Sequence, residues 1–336
     1  MGHMDALGFD RKNQANLENL TQDVLKSSEI EGEILPEDQV RSSIARNLGL
    51  DIAGLVASDK NVDGVVEMML DASHNFAKDL SKERLFNWHG SLFPTGRRGM
   101  NKISVGAWRN DEKGEMQVVS GAYGREKVHF EAPHARVIEK EMAQFIDWFN
   151  EEPMDLVLKA AIAHLWFVTI HPFEDGNGRI TRALSDMLLA RSENSSNRFY
   201  SISSQIRKER NEYYRILEHT QKNTELDITL WLEWFLKILN HAFDVAEISF
   251  RTIFSRINFW EQHARIPLNE RQRMMIDKLL NGFIGNLTSS KWAKITKCSQ
   301  DTALRDITEL LNHEILIKEA GGRSTNYRLG PLMKDT

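Results

Sequence analysis

The stretch AAIAHLWFVTI, Ala160 to Ile170, is one of the two most apolar windows of the chain, and it runs without a linker into His171-Pro172. A helix that is apolar all round has to be buried, and Pro172 ends it because the residue before a proline is pushed out of the right-handed helical region. Gly176-Asn177-Gly178 then make a small-residue turn, after which Arg179, Arg182, Leu184, Met187 and Leu188 mark a new helix. The chain is therefore built on two buried rods joined by a short loop of polar side chains. With 20 glycines and 7 prolines in 336 residues, fewer than soluble proteins usually carry, long helices are expected elsewhere as well.

The helical period of apolar residues supports that expectation. Leu17 to Leu80 reads as three or four helices broken at Pro36, Gly49 and Gly64, and from Ala135 onward helices are expected near 135–150, 155–170, 177–192, 205–222 and 228–250. Between Leu85 and Pro133 glycines cluster. Ile103 to Arg109 and Glu115 to Ser120 are short β-type runs around Asn110-Asp111-Glu112-Lys113-Gly114, which predicts one β-hairpin on a helical body. A connecting helix at 251–266 ends at Pro267. Beyond it, helices at 269–281, 288–297 and 299–312 precede strands at 315–319 and 325–329 around Gly321-Gly322, the order of a winged helix-turn-helix. The fold class is mainly α, in four regions: 1–84, 85–250, 251–266 and 267–336.

Charge and cysteine usage narrow the setting. Against 48 acidic residues stand 43 lysines and arginines, a net charge of −5, which argues against a wholesale polyanion binder. Lys291, Lys294, Lys297, Arg305, Arg323 and Arg328 are diluted by Asp301, Asp306, Glu309, Glu314 and Glu319, so DNA contact, protein interaction and dimer packing all stay open for the C-terminal unit. Cys298 is alone and cannot close an internal disulfide. Met1-Gly2-His3-Met4 reads as the remnant of an expression leader, no export signal or bilayer-length segment is visible, and a cytoplasmic setting is expected.

The loop after the first rod carries the chemistry. Backbone N–H groups of a Gly-Asn-Gly turn at the positive end of a helix form an anion cradle. Arg179 and Arg182, three residues apart, lie on neighbouring positions of one helix face, and two guanidiniums exceed what one phosphate group needs. A polyphosphate is the natural guest. Asp175 adds a hard oxygen ligand of the kind Mg²⁺ uses when substrate oxygens complete its shell, and His171, with an ordinary pKa near neutrality, is suited to take a proton from a hydroxyl nucleophile. These parts describe nucleotide-dependent transfer to an alcohol.

His171 to Arg182, HPFEDGNGRITR, resembles position for position the H-x-F-x-[DE]-G-N-G-R-x-x-R signature of the Fic (filamentation induced by cAMP) family. The resemblance implies a helical core that moves AMP from ATP to a Ser, Thr or Tyr hydroxyl of a protein, its own exposed hydroxyls included, with release of pyrophosphate. In that reading His171 is the base, Asp175 holds Mg²⁺ (or Mn²⁺), Gly176, Asn177 and Gly178 form the anion hole, and Arg179 and Arg182 hold the outer phosphates. Phe173 anchors the loop. The hairpin at 103–120 corresponds to the family's flap, which pairs with the target segment by strand addition. Tyr214 and Gln221 correspond to the adenine pocket, with Gln221 where relatives often have Asn. Relatives also suggest a homodimer.

Ser27-Ser28-Glu29-Ile30-Glu31-Gly32 fits the family's inhibitory pattern [ST]-x-x-x-E-[GN] through Ser27, Glu31 and Gly32. On a helix spanning about 17–33, Ser27 and Glu31 share a face, and the resemblance implies that Glu31 pairs with Arg182 and displaces the γ-phosphate. The bland alternative is that Glu29, Ile30, Glu31 and Glu33 are an ordinary acidic helix surface. Trp231, Trp234 and Phe235 repeat at helical spacing as core, and His89, His129, His134 and His164 show no metal-ligand spacing and are taken as structural. Two rival functions remain: removal of AMP from a modified protein with Glu31 orienting water, and a DNA-binding regulator whose Fic unit senses nucleotide.

Overall fold

The computed structural model describes residues 9–50, 54–112, 114–120, 127–280, 282–283, 285–319 and 325–330. The expected leader at Met1 to Met4 and the Gly321-Gly322 turn lie outside the described residues. The chain divides into two compact units, Met1–Asp244 and Val245–Thr336.

In the first unit the helices are α1 (Phe9–Ile30), α2 (Glu37–Asn47), α3 (Lys60–His74), α4 (Lys82–Leu92), α5 (Ala135–Glu151), α6 (Leu156–Ile170), α7 (Asn177–Glu193), α8 (Ile202–Lys208), α9 (Arg210–Lys222) and the start of α10 (Thr229–Gln262). The apolar rod is α6. Asp155 caps it by accepting hydrogen bonds from the Val157 and Leu158 N–H groups at 3.0 Å, and the helix ends on His171. It lies against α7, whose Ile180, Ala183, Leu184, Met187 and Leu188 are fully buried. Trp231, Trp234 and Phe235 of α10 are core, and the Trp231 indole N–H donates to the Ala161 carbonyl at 2.7 Å.

Helix α1 packs against α2 and α8 and touches α3 and α7. Its docking includes a buried charge cluster. Arg198 lies 2.5 Å from Asp186 of α7 and 3.7 Å from Asp23 of α1, and the Ser201 hydroxyl donates to Asp23. Two buried carboxylates share one guanidinium. Burial first, then the charge of Asp186, pushes Asp23 up to about 8 against the pull of Arg198 and Ser201.

Three strand pairs are present among the described residues. In the first unit β1 (Arg97–Arg98) pairs with β2 (Asn101–Lys102), and β3 (Gln117–Ser120) pairs antiparallel with β4 (Lys127–Glu131), with a register shift between Val118 and Val119. The expected pairing of 103–109 with 115–120 is therefore wrong. Ile103 is buried, and Arg109 turns inward to bond the loop between α6 and α7, so this segment uses its polar groups on the core instead of on a neighbouring strand. The helix expected at 205–222 is also two helices, broken at Glu209, and the helices expected at 228–250 and 251–266 are the single helix α10.

The second unit holds α11 (Glu270–Leu280), α12 (Ser289–Thr296), α13 (Gln300–Asn312) and the antiparallel pair β5 (Leu316–Glu319) and β6 (Asn326–Leu329). Thr288 and Ser299 cap α12 and α13 by accepting from the N–H groups of Lys291 and Thr302. Met275, Ile276, Trp292, Ile307, Leu310 and Leu316 form its core, and Arg271 is paired with Asp306 at 2.7 Å.

Candidate active site

The loop between α6 and α7 is held from both sides. His171 takes a left-handed conformation (φ 52°, ψ 57°), uncommon for a residue with a side chain, and this turns the backbone out of α6 ahead of Pro172. Arg109 braces the turn: its Nε donates to the His171 carbonyl at 2.8 Å, its backbone N–H to the Pro172 carbonyl at 2.9 Å, and its guanidinium also reaches Asp111 and the Pro133 carbonyl. Inside the loop, the Asn177 side chain accepts from the Phe173 N–H at 2.9 Å and donates to the Phe173 carbonyl at 2.8 Å. The side chain of Asn177 is thus spent on shaping the loop, and only its backbone belongs to the cradle. Phe173 is fully buried and stacks on His89 with ring centroids 4.2 Å apart. Burial holds His89 down to about 4, so it is a neutral wall of the loop.

The imidazole of His171 places Nδ1 3.3 Å from the Val168 carbonyl. A carbonyl only accepts, so Nδ1 carries the proton and Nε2 keeps its lone pair. Burial first, and the positive charge of Arg109 next among the lowering influences, bring its pKa below the ordinary histidine value, against the Val168 bond, Glu31 and Asp175. The imidazole is therefore neutral near pH 7.

Gly176 caps α7 with φ 82°, and a Cβ there would stand 3.0 Å from the Phe93 ring. At Gly178 a Cβ would lie 2.0 Å from Glu31 Oε1 and 3.2 Å from Arg182 Nη1. The carboxylate of Glu31 therefore rests directly on the first turn of α7, where a helix N-terminus favours an anion. Glu31 pairs with Arg182 at 2.8 Å, while Arg182 also donates through Nε to the Ser27 hydroxyl and through Nη2 to the Ser27 carbonyl, each at 2.8 Å. Burial raises the Glu31 pKa, but the charge and hydrogen bond of Arg182, followed by Arg179 and His171, outweigh it and hold the carboxyl below its usual range. Glu31 stays ionised.

The ending of α1 explains this placement. The helix stops at Ile30, so Glu31 stands one residue beyond it instead of inside a helix to 33. Gly32 adopts φ 82°, its N–H bonds the Glu29 carbonyl at 3.1 Å, and the Glu33 N–H bonds the Ser28 carbonyl at 3.0 Å. This is a Schellman closure, which needs glycine at the left-handed position. It sends the chain back across α7, and Glu33, read from the sequence only as part of an acidic surface, reaches Arg179 at 2.7 Å.

Asp175 accepts from the Gly176 N–H at 2.6 Å through Oδ1 and pairs through Oδ2 with the exposed Arg98 at 2.8 Å. Among the described residues no group of three His, Cys, Asp or Glu side chains could cage a metal. A single carboxylate beside an anion cradle is the donor set that suits a divalent ion completed by substrate oxygens. Tyr214 is half-buried under Arg210, whose guanidinium lies 5.3 Å from its ring, and burial followed by the charge of Glu31 raises its hydroxyl. Gln221 donates to the Thr169 hydroxyl at 3.1 Å. The neighbouring Tyr213 is fully buried and bonds His164, which burial brings down to about 3 and which in turn bonds Ser185. Arg109 and Glu33 are the site residues that no motif marks. Glu33 had a local cue in its place just after Gly32, whereas Arg109 had none.

The first unit is thus a helical core with a histidine at the end of one helix and a glycine-bounded turn, rich in backbone N–H groups, opening the next. Residues 79–189 match the Fic/DOC family model, and the chain carries a Fic/DOC-family domain; residues 1–50 match a domain of unknown function, DUF4172. Among curated relatives, protein adenylyltransferase fic-1 of Caenorhabditis elegans is 28% identical over 48% of this chain and 30% of its own length. A probable protein adenylyltransferase of Aquifex aeolicus is 38% identical over 30% of this chain and 26% of its own. The chain thus spans less than a third of either relative. A Fic family protein of Desulfovibrio desulfuricans shares the fold with a TM-score of 0.52 at 21% identity, covering 94% of this chain and 87% of that one. A Fic domain containing signaling protein of Bacteroides thetaiotaomicron gives 0.51 at 19% identity, over 73% and 92%. Among the described residues no helix is long and apolar enough to cross a membrane.

Proposed function

We propose that this chain is a protein adenylyltransferase, transferring AMP from ATP to a Ser, Thr or Tyr hydroxyl of a protein, itself included, and held off by Glu31. The observation that carries the reading is the Glu31 carboxylate lying on Gly178 and 2.8 Å from Arg182, an anion already seated where the loop offers its positive groups. In the released state His171 Nε2 takes the proton of the incoming hydroxyl. That oxygen bonds to the α-phosphorus, the bond from this phosphorus to the bridging oxygen breaks, and pyrophosphate leaves. The α7 N-terminus stabilises the developing charge, and Arg179 and Arg182 hold the outer phosphates. Asp175, freed from Arg98, would hold Mg²⁺ or Mn²⁺, which when bound neutralises phosphate charge. Tyr214 and Gln221 face the base, and the β3–β4 hairpin presents the target by strand addition.

Intact-mass analysis of the Glu31→Gly protein after incubation with each magnesium nucleoside triphosphate tests this. ATP should add the mass of AMP, and His171→Ala in the same background should add nothing. No added mass with any nucleotide and any supplied acceptor would refute the reading. A second reading is AMP removal, with the ionised Glu31 directing water; it predicts AMP release from a modified protein that Glu31→Gly abolishes. We read 267–336 as a winged helix-turn-helix in a cytoplasmic homodimer. DNA binding by it would appear as a salt-dependent mobility shift of the full chain.

A further inference from the structure

Both arginines of the loop helix, not one, are occupied by carboxylates from the turn that closes α1. Arg182 is held by Glu31, and Arg179, buried to 5% exposure and stacked 5.2 Å from the Phe93 ring, is held by Glu33 at 2.7 Å. The two contacts come from one Schellman closure: Gly32 at φ 82° reverses the chain between the two glutamates, so they reach positions i and i+3 of α7 together. A nucleotide that places successive phosphates along this face meets the carboxylates in order. Removing Glu31 frees one guanidinium and leaves the other neutralised.

We propose that Glu33 is a specificity-determining residue of the nucleotide site, and that through Arg179 it makes the docked chain select nucleoside monophosphate over di- and triphosphate. This rests on the nucleotide reading of the loop given above. The Glu33 side chain retains 36% exposure and is tethered at one end only by Arg179, so its departure does not require α1 to unfold. Glu31 and Glu33 are then separable: the first screens the far phosphate, the second the nearer one.

The test is calorimetric titration of AMP, ADP and ATP into the full chain and into Glu33→Gln, Glu31→Gly and the double variant. Glutamine keeps the shape of Glu33 and removes its charge. In the wild-type chain ADP should bind no more tightly than AMP. Glu33→Gln should raise the ADP to AMP affinity ratio by tenfold or more without changing AMP affinity, and should do so equally in the Glu31→Gly background. Glu31→Gly alone should raise ATP over ADP and leave the ADP to AMP ratio in place. An ADP to AMP ratio unmoved by Glu33→Gln while nucleotides bind overturns the inference alone. A gain seen only when Glu31 is present also overturns it, because Glu33 would then act merely by loosening α1. Failure of every variant to bind any nucleotide overturns the nucleotide reading and this inference with it.

Discussion

Replacing Glu31 by glycine removes a carboxylate that lies 2.8 Å from a guanidinium with only 1% of its side chain exposed. At an effective dielectric near 20, unit charges at that distance attract by about 6 kcal/mol. Desolvation of the buried arginine offsets much of this, and couplings between sites of this kind are usually about 1–3 kcal/mol, a factor of about 5–150 in an equilibrium. The Ser27 hydroxyl and carbonyl remain on Arg182 in the variant, so the guanidinium keeps its aim and loses only its counter-charge. Glu31→Gly should therefore raise the initial rate of AMP transfer about 10- to 100-fold, most of it as tighter productive ATP binding. The assay is label transfer from α-labelled ATP with Mg²⁺, across ATP concentrations, with wild type alongside. A rate within twofold of wild type at every concentration would refute the idea that this ion pair keeps the site shut.

Three further outcomes follow from contacts already described. Arg109 lowers the His171 pKa, and the base works only when neutral, so Arg109→Gln in the Glu31→Gly background should move the acid limb of the pH–rate profile to higher pH and lower the maximum rate; an unshifted limb would count against the brace. Gly176→Ala, with φ 82° and a Cβ 3.0 Å from Phe93, should cost roughly 1–3 kcal/mol and lower the melting temperature, read by calorimetry. The raised pKa of Asp23, about 8 against an ordinary 3.8, favours the protonated acid in the folded chain. Its contribution to stability is complete below about pH 4 and is lost as pH rises through 8, so Asp23→Asn should flatten the fall in melting temperature across that window.

What the sequence makes legible depends on how far apart the partners stand. The loop from His171 to Arg182 can be read because its chemistry is local: a proline stop, a glycine turn and two arginines within one helix turn. Glu31 is legible only as a short pattern, since its partner lies far along the chain. The Ser201 bond to Asp23 joins residues 178 apart, and no spacing rule connects them. The strand error at 103–109 has a related cause. Apolar alternation marks a segment as extended, but Ile103 is drawn to the core and Arg109 to the loop between α6 and α7, and the true partner of β3 comes after the glycines at 121 and 124. The break at Glu209 is a single residue leaving the helical region inside an otherwise continuous helical pattern, which periodicity cannot register.

Helix α1 belongs to the same polypeptide as the loop it covers. The carboxylates of Glu31 and Glu33, in the turn that closes it, are consequently present at a fixed local concentration, and dilution of the protein does nothing to release them. Only a species that competes for the guanidiniums, or a change that weakens the grip of α1 on Arg198 and Ser201, shifts the balance. On the proposed reading, the silent form is built in with the chain at synthesis, and waking it is a matter of supply and contact, not of abundance.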